Sequence, residues 1–186
     1  MSPALQAYCS QCGAACEQRI PPGDDRARAV CSGCGVVHYL NPRVVVGAVA
    51  TCEDRLLLVQ RAIAPRAGYW CIPSGFLEVG ETSREGTARE AREEAGAELE
   101  VGRLLAVYEL THVQQVMLVY AATMRSPRLD PGPESLDARL LRPDEIPWDR
   151  LAFPTVGWAL RYHLELGGRE DYVPHTNPSD ERMPRD

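Results

Sequence analysis

Short apolar runs separated by turn residues predict five strands between residues 44 and 142. The first two runs, VVVGAVATC and RLLLVQRA, lie on either side of a Glu53–Asp54 turn. The later runs, LLAVYEL, QQVMLVYAATM and ARLLR, are separated by polar or proline-rich segments. The predicted strands cover residues 44–52, 55–62, 104–110, 114–124 and 138–142.

Two other segments have the pattern of helices. Residues 82–95 contain helix-forming alanines and no proline, Thr82 and Glu85 have the spacing of a capping box, and Gly96 suits the helix end. Residues 153–168, FPTVGWALRYHLELGG, have the spacing of an amphipathic helix. Because strands stand before and after the first helix and the second helix comes late, we predict a mixed α/β domain built in layers.

Four of the seven cysteines form two Cys-x2-Cys pairs, Cys9 with Cys12 and Cys31 with Cys34. Each pair is followed by glycine, which lets the chain turn so that backbone N–H groups face sulfur. Four thiolates suit a tetrahedral Zn²⁺, and the eighteen residues between the pairs match a structural zinc ribbon. The alternative is two unrelated redox-sensitive pairs, although a reducing cytosol argues against disulfides.

The composition is that of an ordinary soluble globular protein, with 45% hydrophobic and 25% charged residues. The formal net charge is −6 and no basic run is present, so nucleic acid is not expected as a partner. No apolar stretch approaches the roughly 20 residues that span a bilayer, and the first residues lack the pattern of a signal peptide. We therefore expect a cytoplasmic protein that does not enter a membrane.

Three glutamates lie on one face of the first predicted helix. Glu90, Glu93 and Glu94 are spaced at i, i+3 and i+4. Like charges at this spacing destabilise an isolated helix by roughly 0.2–0.5 kcal/mol per pair, and Arg89 and Arg92 offset part of that. A hard divalent cation such as Mg²⁺ would remove the repulsion, because it binds carboxylate oxygens. The alternative is an acidic helix face in solvent.

This helix belongs to a longer motif, GFLEVGETSREGTAREAREEAGA, at residues 75–97. The motif resembles the Nudix box, and every defining position is filled. The filled positions are Gly75, Glu81, Arg89, Glu90, Ala91, Glu93, Glu94, Gly96 and Ala97. The resemblance implies a Nudix α/β/α sandwich with a mixed sheet, preceded here by a small N-terminal zinc ribbon. It also implies an enzyme that hydrolyses a diphosphate with a divalent metal ion.

The resemblance also implies roles for the motif residues. Glu90 and Glu94 would bind Mg²⁺ or Mn²⁺, and Glu93 would be a further ligand or assist the attacking water. Arg89 would belong to the catalytic group and pair with Glu81, which would fix the loop on the helix.

A further metal ligand is expected from outside the motif. The candidates are Glu109, Asp130, Glu134 and Asp137. We favour Glu134, because ESLDARLL resembles the segment that supplies a ligand in zinc-ribbon Nudix enzymes. The alternative is that Glu134 is a loop residue in solvent.

The whole chain to about residue 166 resembles bacterial ribbon-Nudix proteins and the plant plastidial FAD and ADP-ribose pyrophosphatases. The shared segments include RAIAPRAGYW, IPSGFLEVGET and PGPESL. This resemblance implies that FAD, ADP-ribose or a similar ADP-linked molecule is hydrolysed to AMP and a phosphate ester. It also implies a homodimer, a structural Zn²⁺ and a catalytic Mg²⁺ or Mn²⁺.

A more distant resemblance is to NADH pyrophosphatases. These carry an S-Q-P-W-P-F-P signature that ELTHVQQVMLVY lacks, so we expect FAD or ADP-ribose to be hydrolysed faster than NADH. Tyr39 and Phe76 are the candidates for stacking on the substrate, and Gln114 for hydrogen bonding to it. The alternatives are an NADH or NAD-cap pyrophosphatase, and a non-catalytic Nudix fold that senses a ligand while the ribbon binds a protein or nucleic acid.

These observations divide the chain into three parts. Residues 1–40 are predicted to form the zinc ribbon, 41–166 the Nudix domain, and 167–186 a polar C-terminal tail. The tail contains three prolines, and we expect it to be loosely held.

Overall fold

A computed structural model describes residues 6–179, which form two compact units that divide between Pro42 and Arg43. The first unit is a small antiparallel sheet in the order β1-β2-β3. Its strands are β1 (Cys16–Arg19), β2 (Arg28–Cys31) and β3 (Val37–His38). Few side chains are buried here, so this unit has little apolar core of its own.

The second unit contains a seven-stranded mixed sheet with the order β10-β5-β4-β9-β8. Two short strands extend it, β6 beside β5 and β7 beside β4. The central strands β4 and β9 run parallel, and the other pairs are antiparallel. The strands are β4 (Arg43–Cys52), β5 (Arg55–Arg61), β6 (Trp70–Cys71), β7 (Ser74–Phe76), β8 (Leu99–Leu110), β9 (Gln115–Met124) and β10 (Ser135–Leu141).

Helices α1 (Ser83–Ala95) and α2 (Pro154–Leu166) flank this sheet. Strand β4 is apolar on both faces, and its Val46 and Val49 are fully buried, as expected of a central strand covered by helices. Helix α1 contributes the buried Ala91 to this core, and α2 contributes Leu160. The mixed sheet and its flanking helices confirm the predicted fold class. No helix within residues 6–179 has the length and apolarity needed to cross a bilayer.

The predicted ends of α1 are confirmed. The Thr82 hydroxyl accepts a hydrogen bond from the Glu85 N–H at 3.3 Å, and the Glu85 carboxylate accepts one from the Thr82 N–H at 2.7 Å. Gly96 ends the helix in the left-handed conformation, with φ 63°. An N-cap of this kind stabilises a helix by about 1 kcal/mol, so the sequence defines this helix locally.

Several strand boundaries differ from the prediction. Strand β8 begins at Leu99 rather than residue 104, because Leu99 pairs with Met124 and Glu100 with Thr123. Strand β10 begins at Ser135, which pairs with Arg61. Strands β6 and β7 lie between the second predicted strand and the first predicted helix, where the sequence pattern predicts no element, since two or three residues are too few to show periodicity.

The expectation of a loosely held tail is wrong for the part of it that the structure describes. The His175 N–H donates to Leu105 O at 2.9 Å, and the Val107 N–H donates to His175 O at 2.8 Å. The Asn177 amide makes two further hydrogen bonds with the backbone of Glu109, at 2.8 and 3.0 Å. The polar tail is held because it satisfies backbone groups along the outer edge of β8.

Candidate functional site

The turn from β7 into α1 locks two glutamates of the helix against the preceding strand. The Ser74 N–H donates to Glu94 Oε2 at 2.9 Å, and Glu94 is only 8% exposed. The Cα of Gly75 lies so close to the Glu90 carboxylate that an added Cβ would overlap it. Glycine is therefore required at position 75 for the strand and the helix to present these two acids together.

Arg89 joins the remaining acids of the motif. Its Nε and Nη2 bind the two oxygens of Glu81 at 3.1 and 2.8 Å, which confirms the predicted ion pair. Its Nη1 donates to Glu90 at 2.8 Å and to Glu93 at 3.0 Å, and Nη2 also donates to the Phe76 carbonyl at 3.0 Å. The guanidinium lowers the pKa of Glu81. One arginine thus holds the loop on the helix and orients two further carboxylates.

The positive groups around Glu90 and Glu94 do not fully offset the negative charge of the acids in this site. Burial raises the pKa of Glu94 to about 7, and the charges of Glu90 and Glu134 act in the same direction, whereas the Ser74 N–H and Arg61 oppose them. Burial also raises the pKa of Glu90, with Arg89 opposing. Without added positive charge, both carboxyl groups therefore lose their proton less readily than they would in water.

A loop brings Glu134 toward the same acids. The Asp130 N–H donates to Ala95 O at 2.7 Å, and the Gly132 N–H donates to Glu94 O at 3.3 Å, so the loop crosses the C-terminal end of α1. The Glu134 charge then acts on both Glu90 and Glu94.

The other candidates for the additional ligand have different surroundings. Asp137 forms an ion pair with Arg139 at 2.7 Å, and the Glu109 backbone binds the side chain of Asn177. The backbone of Asp130 anchors the loop on Ala95. Glu134 therefore remains the favoured candidate.

The donor set fits a hard divalent cation. Carboxylate oxygens are the ligands that Mg²⁺ and Mn²⁺ prefer. Glu90 is half-buried and Glu94 is buried, so a bound cation would stabilise their ionised forms. Glu93 differs from both, because its side chain is 58% exposed and is held by Arg89. Glu90, Glu94 and Glu134 are thus the residues that would hold the metal, and Glu93 is placed at the solvent side.

The four ribbon cysteines converge in the first unit. Their sulfur atoms all lie within 4.8 Å of one another, with 3.7 Å between Cys9 and Cys34 and 3.4 Å between Cys12 and Cys31. Zn–S bonds of about 2.3 Å in a tetrahedron would place sulfur atoms about 3.8 Å apart. Because the two pairs converge on one point instead of standing apart, the cluster favours a structural Zn²⁺ over the alternative of two unrelated redox-sensitive pairs.

Backbone amides also face these sulfur atoms, as predicted. The Gln11 N–H donates to Cys9 Sγ at 3.4 Å, and the Gly33 N–H donates to Cys31 Sγ at 3.3 Å. Such contacts lower the pKa of Cys9 to about 6, and the amide of Cys12 has the largest effect.

The backbone amides of Cys34 and Gly33 likewise lower the pKa of Cys31. The pKa of Cys34 is raised to about 12, because the side chains of Cys31 and Cys12 outweigh the Val36 amide that lowers it. Four thiolates at this point therefore need the positive charge of a bound metal ion.

The candidate substrate contacts lie in both units. Phe76 is 44% exposed, and Cζ of Arg43 lies 4.5 Å from the centre of its ring. The Arg43 N–H donates to the carbonyl of Gln114 at 2.9 Å, so Phe76 and Gln114 both lie beside Arg43. Tyr39 belongs to the ribbon unit, where its exposed ring contacts Arg28.

Sequence reasoning missed Arg61 as a member of the site. Its charge lowers the pKa of Glu94, its Nε donates to Pro65 O at 3.0 Å, and its Cζ lies 5.4 Å from the centre of the Phe153 ring. One signal in the sequence was available. Residues 55–77 contain three arginines and no acidic residue, which is unusual in a chain with a net charge of −6.

Family models match both units of the chain. A model described as NUDIX domain matches residues 41–159, and one described as Nudix N-terminal, a zinc ribbon, matches residues 7–40. A crystal structure of a Nudix hydrolase from Nitrosomonas europaea superposes with a TM-score of 0.88 and 41% identity, covering 92% of this chain and 97% of that chain.

Two curated relatives are similar over much of the chain. An NAD-capped RNA hydrolase, NudC, from Stutzerimonas stutzeri is 32% identical over 164 residues, which is 86% of this chain and 55% of the relative. An ADP-ribose pyrophosphatase from Methanocaldococcus jannaschii is 31% identical over 121 residues, which is 62% of this chain and 69% of the relative. The chain thus spans about half the length of the first relative.

Proposed function

We propose that this chain is a metal-dependent diphosphatase of ADP-linked molecules. The premise is its family, because the chain belongs to the Nudix hydrolases. The observation that supports this most is the joint placement of Glu90 and Glu94 against Gly75 and the Ser74 amide. A protein that only bound its ligand would have no need to bury acids whose charge is left uncompensated. The acids suit Mg²⁺ or Mn²⁺, with Glu134 as the additional ligand.

In the proposed reaction, water attacks one phosphorus, the bond from that phosphorus to the bridging oxygen breaks, and AMP and a second phosphate ester are formed. A divalent ion at the carboxylates would neutralise the diphosphate and polarise it. Glu93 is proposed to orient or deprotonate the attacking water, because it is exposed and held by Arg89. Arg89 is a positioning residue, since its hydrogen bonds go to Glu81, Glu90 and Glu93.

For the substrate, we favour FAD or ADP-ribose. The segment that carries an aromatic and proline-rich signature in NADH pyrophosphatases here contains Gln114, which can hydrogen-bond to ribose or a base edge but offers no stacking surface. The exposed ring of Phe76 is the proposed stacking partner in this unit, and Tyr39 is the proposed one in the ribbon. The ADP-ribose pyrophosphatase among the relatives supports this choice.

A second candidate is an NADH or NAD-cap pyrophosphatase. The similarity to an NAD-capped RNA hydrolase over 86% of this chain favours it. NAD(H), FAD and ADP-ribose share an ADP group joined through a diphosphate, so the same acids would serve each of them.

A substrate screen tests the proposal. FAD, ADP-ribose, NADH and nucleotide sugars would each be incubated with Mg²⁺ or Mn²⁺ and analysed for AMP by chromatography. We expect AMP from FAD or ADP-ribose with either metal, and none from any substrate with the Glu94→Gln variant. Ligand binding without AMP release from any of these substrates would favour a sensing role.

Location and assembly are part of the proposal. A cytoplasmic location would keep the four ribbon thiols reduced and available to zinc. A homodimer is implied by the resemblance to ribbon-Nudix proteins, and sedimentation at micromolar concentration would test it.

A further inference from the structure

Cys16 begins β1 and is the one cysteine of residues 7–40 that does not belong to the zinc site. It nevertheless stands beside that site, because Cys16 and Cys31 are paired directly across β1 and β2. Cys31 is only 1% exposed, whereas Cys16 is half-buried. A thiol that would bind no metal is thus the direct neighbour of one that would.

Both backbone amides of this pair point away from the partner strand. The Cys16 N–H donates to Ala7 O at 2.9 Å, on the outer side of β1. The Cys31 N–H donates to Val36 O at 2.9 Å, on the side of β3. Cys16 and Cys31 therefore form a non-hydrogen-bonded pair, the class in which two antiparallel strands bring opposite side chains closest together.

The spacing of such a pair suits a disulfide. The next pair along the two strands is hydrogen-bonded, since the Ser32 N–H donates to Ala15 O at 3.0 Å, and the two classes alternate along antiparallel strands. Cα atoms of a non-hydrogen-bonded pair are about 4.5 Å apart, within the range of about 4.4–6.8 Å that disulfides span. Opposite side chains also share one face of the sheet. A bond between Cys16 and Cys31 thus needs side-chain rotation and little movement of the backbone.

The Cys16 side chain also lies close to the other thiols of the zinc site. Burial raises the pKa of Cys16, and the charges of Cys31, Cys9 and Cys12 act in the same direction. Three of the four zinc-site thiols are thus near enough to act on this sulfur. Because a raised pKa keeps Cys16 mainly as the thiol, its oxidation should need an added oxidant and should not occur in air.

We propose that hydrogen peroxide drives formation of a disulfide between Cys16 and Cys31, and that this bond removes one ligand from the zinc site. In the first step, the peroxide oxidises the Cys16 thiol to a sulfenic acid, and its second oxygen leaves as water. In the second step, the Cys31 thiolate leaves the metal and attacks the Cys16 sulfur. The S–S bond forms, and the sulfenic oxygen leaves as hydroxide. The two thiols lose two electrons in total, and the peroxide accepts them.

A bound zinc ion would favour Cys16 over Cys12 as the partner of Cys31. The Sγ atoms of Cys12 and Cys31 are only 3.4 Å apart, so a disulfide between these two is the competing product. In the zinc-loaded ribbon both of these sulfur atoms would be bonded to the metal, which makes a thiolate less basic and therefore less nucleophilic. Cys16 would carry no metal, so its sulfur can be oxidised while the site is still filled.

The disulfide would act on the ribbon unit alone. Zinc would keep three of its four ligands, and this unit has little apolar core to hold it together without the metal. The second unit has a core of its own, in which Val46 and Val49 are fully buried. Oxidation should therefore open the ribbon and leave the Nudix domain folded.

Zinc release and disulfide mapping test the proposal together. The zinc-loaded protein would be treated with hydrogen peroxide, and zinc release would be followed with a weak chromogenic indicator. Mass spectrometry of peptides from the unreduced protein would locate the disulfide. We expect one zinc ion to be released per chain and a Cys16–Cys31 peptide pair lighter by two hydrogen atoms than the separate peptides. A thiol reductant and added zinc should restore the filled site.

The Cys16→Ser variant removes the sulfur that the first step needs. It should bind zinc as the wild type does, because Cys16 is not a ligand, and should release zinc at least about tenfold more slowly. Cys52→Ser is the matched control, since Cys52 is also a half-buried free thiol but lies in the second unit at the end of β4. The control should release zinc at the wild-type rate.

Several results would overturn the proposal. These are a wild type that keeps its zinc in peroxide, a disulfide that joins Cys12 to Cys31, and zinc release from Cys16→Ser at the wild-type rate. A Cys16→Ser variant that binds no zinc before oxidation would also contradict it, because Cys16 would then support the metal directly. All of these measurements concern zinc and sulfur, so they stand whether or not a diphosphate is hydrolysed.

Discussion

Replacing Glu94 with glutamine separates the two roles that the structure gives this residue. Glu94 is 8% exposed, and one of its oxygens accepts the Ser74 N–H at 2.9 Å. Glutamine has nearly the same size, and its carbonyl oxygen can accept the same hydrogen bond. The substitution removes only the charge, so we expect hydrolysis to be lost while the metal-free fold becomes more stable.

The size of the stabilisation follows from the raised pKa. Burial moves the pKa of Glu94 from its ordinary value of 4.5 to about 7 in the folded state. The folded state therefore holds the proton more tightly than the unfolded state, and stability falls as the pH rises from about 4.5 to about 7. At about 1.36 kcal/mol for each pH unit, the ionised carboxylate destabilises the metal-free fold by about 3 kcal/mol above that range.

Thermal unfolding would measure this difference. Divalent cations are removed by gel filtration, because a strong chelator would also extract zinc from the ribbon. A change of about 3 kcal/mol raises the Tm of a chain of this size by roughly 6–12 °C. We expect the Glu94→Gln variant to gain this at about pH 8.5 and to match the wild type at about pH 4, where Glu94 is mostly protonated in the folded and the unfolded state. Added Mg²⁺ should raise the Tm of the wild type alone.

Glu93→Gln provides the control for this experiment. It removes the same charge one helix position away, but the Glu93 side chain is 58% exposed, so its effect on the Tm should be small at both pH values. A gain for Glu94→Gln that is the same at both pH values would refute the burial argument. Hydrolysis within twofold of the wild type at saturating Mg²⁺ would refute the proposed metal ligand.

Three other predictions follow from the two sites. Elemental analysis should find one zinc ion per chain. The Cys12→Ser variant should bind no zinc, and its residues 7–40 should become sensitive to protease. A wild-type protein without zinc, whose ribbon thiols titrate freely, would contradict this prediction. Arg89→Gln should lower kcat about 100-fold by releasing Glu81 and Glu93, whereas a change confined to KM would argue against a positioning role. Parallel measurements of kcat/KM should rank FAD or ADP-ribose above NADH, and a tenfold preference for NADH, about 1.4 kcal/mol, would reverse the proposed specificity.

The local parts of the site were predictable from sequence. The capping of α1 depends on Thr82 and Glu85, which are three residues apart, and the pair of Glu81 with Arg89 is part of one continuous motif. Helical spacing alone determines which face carries the acids. In each of these features the interacting residues are close in sequence, and the regular geometry of the helix fixes their relative positions.

The remaining parts depend on contacts between distant segments. The loop that places Glu134 is held by hydrogen bonds to carbonyls at the end of α1, and no local pattern signals them. Arg61 and Arg150 meet around the same turn only after β5 and the segment before α2 have folded together. His175 lies in a polar, proline-containing segment whose composition indicates a loose tail, although open backbone groups on β8 hold it.

The segment around His175 also bears on how the protein avoids unwanted assembly. A sheet edge with free N–H and C=O groups is a template on which a second chain can add a strand, and such edges promote aggregation. Here the outer edge of β8 is already occupied near Leu105 and Val107 by the chain itself. A homodimer would therefore have to use another surface or displace this segment first. A shortened chain that ends before Tyr172 would expose the edge and become prone to concentration-dependent aggregation even with its proposed active site intact.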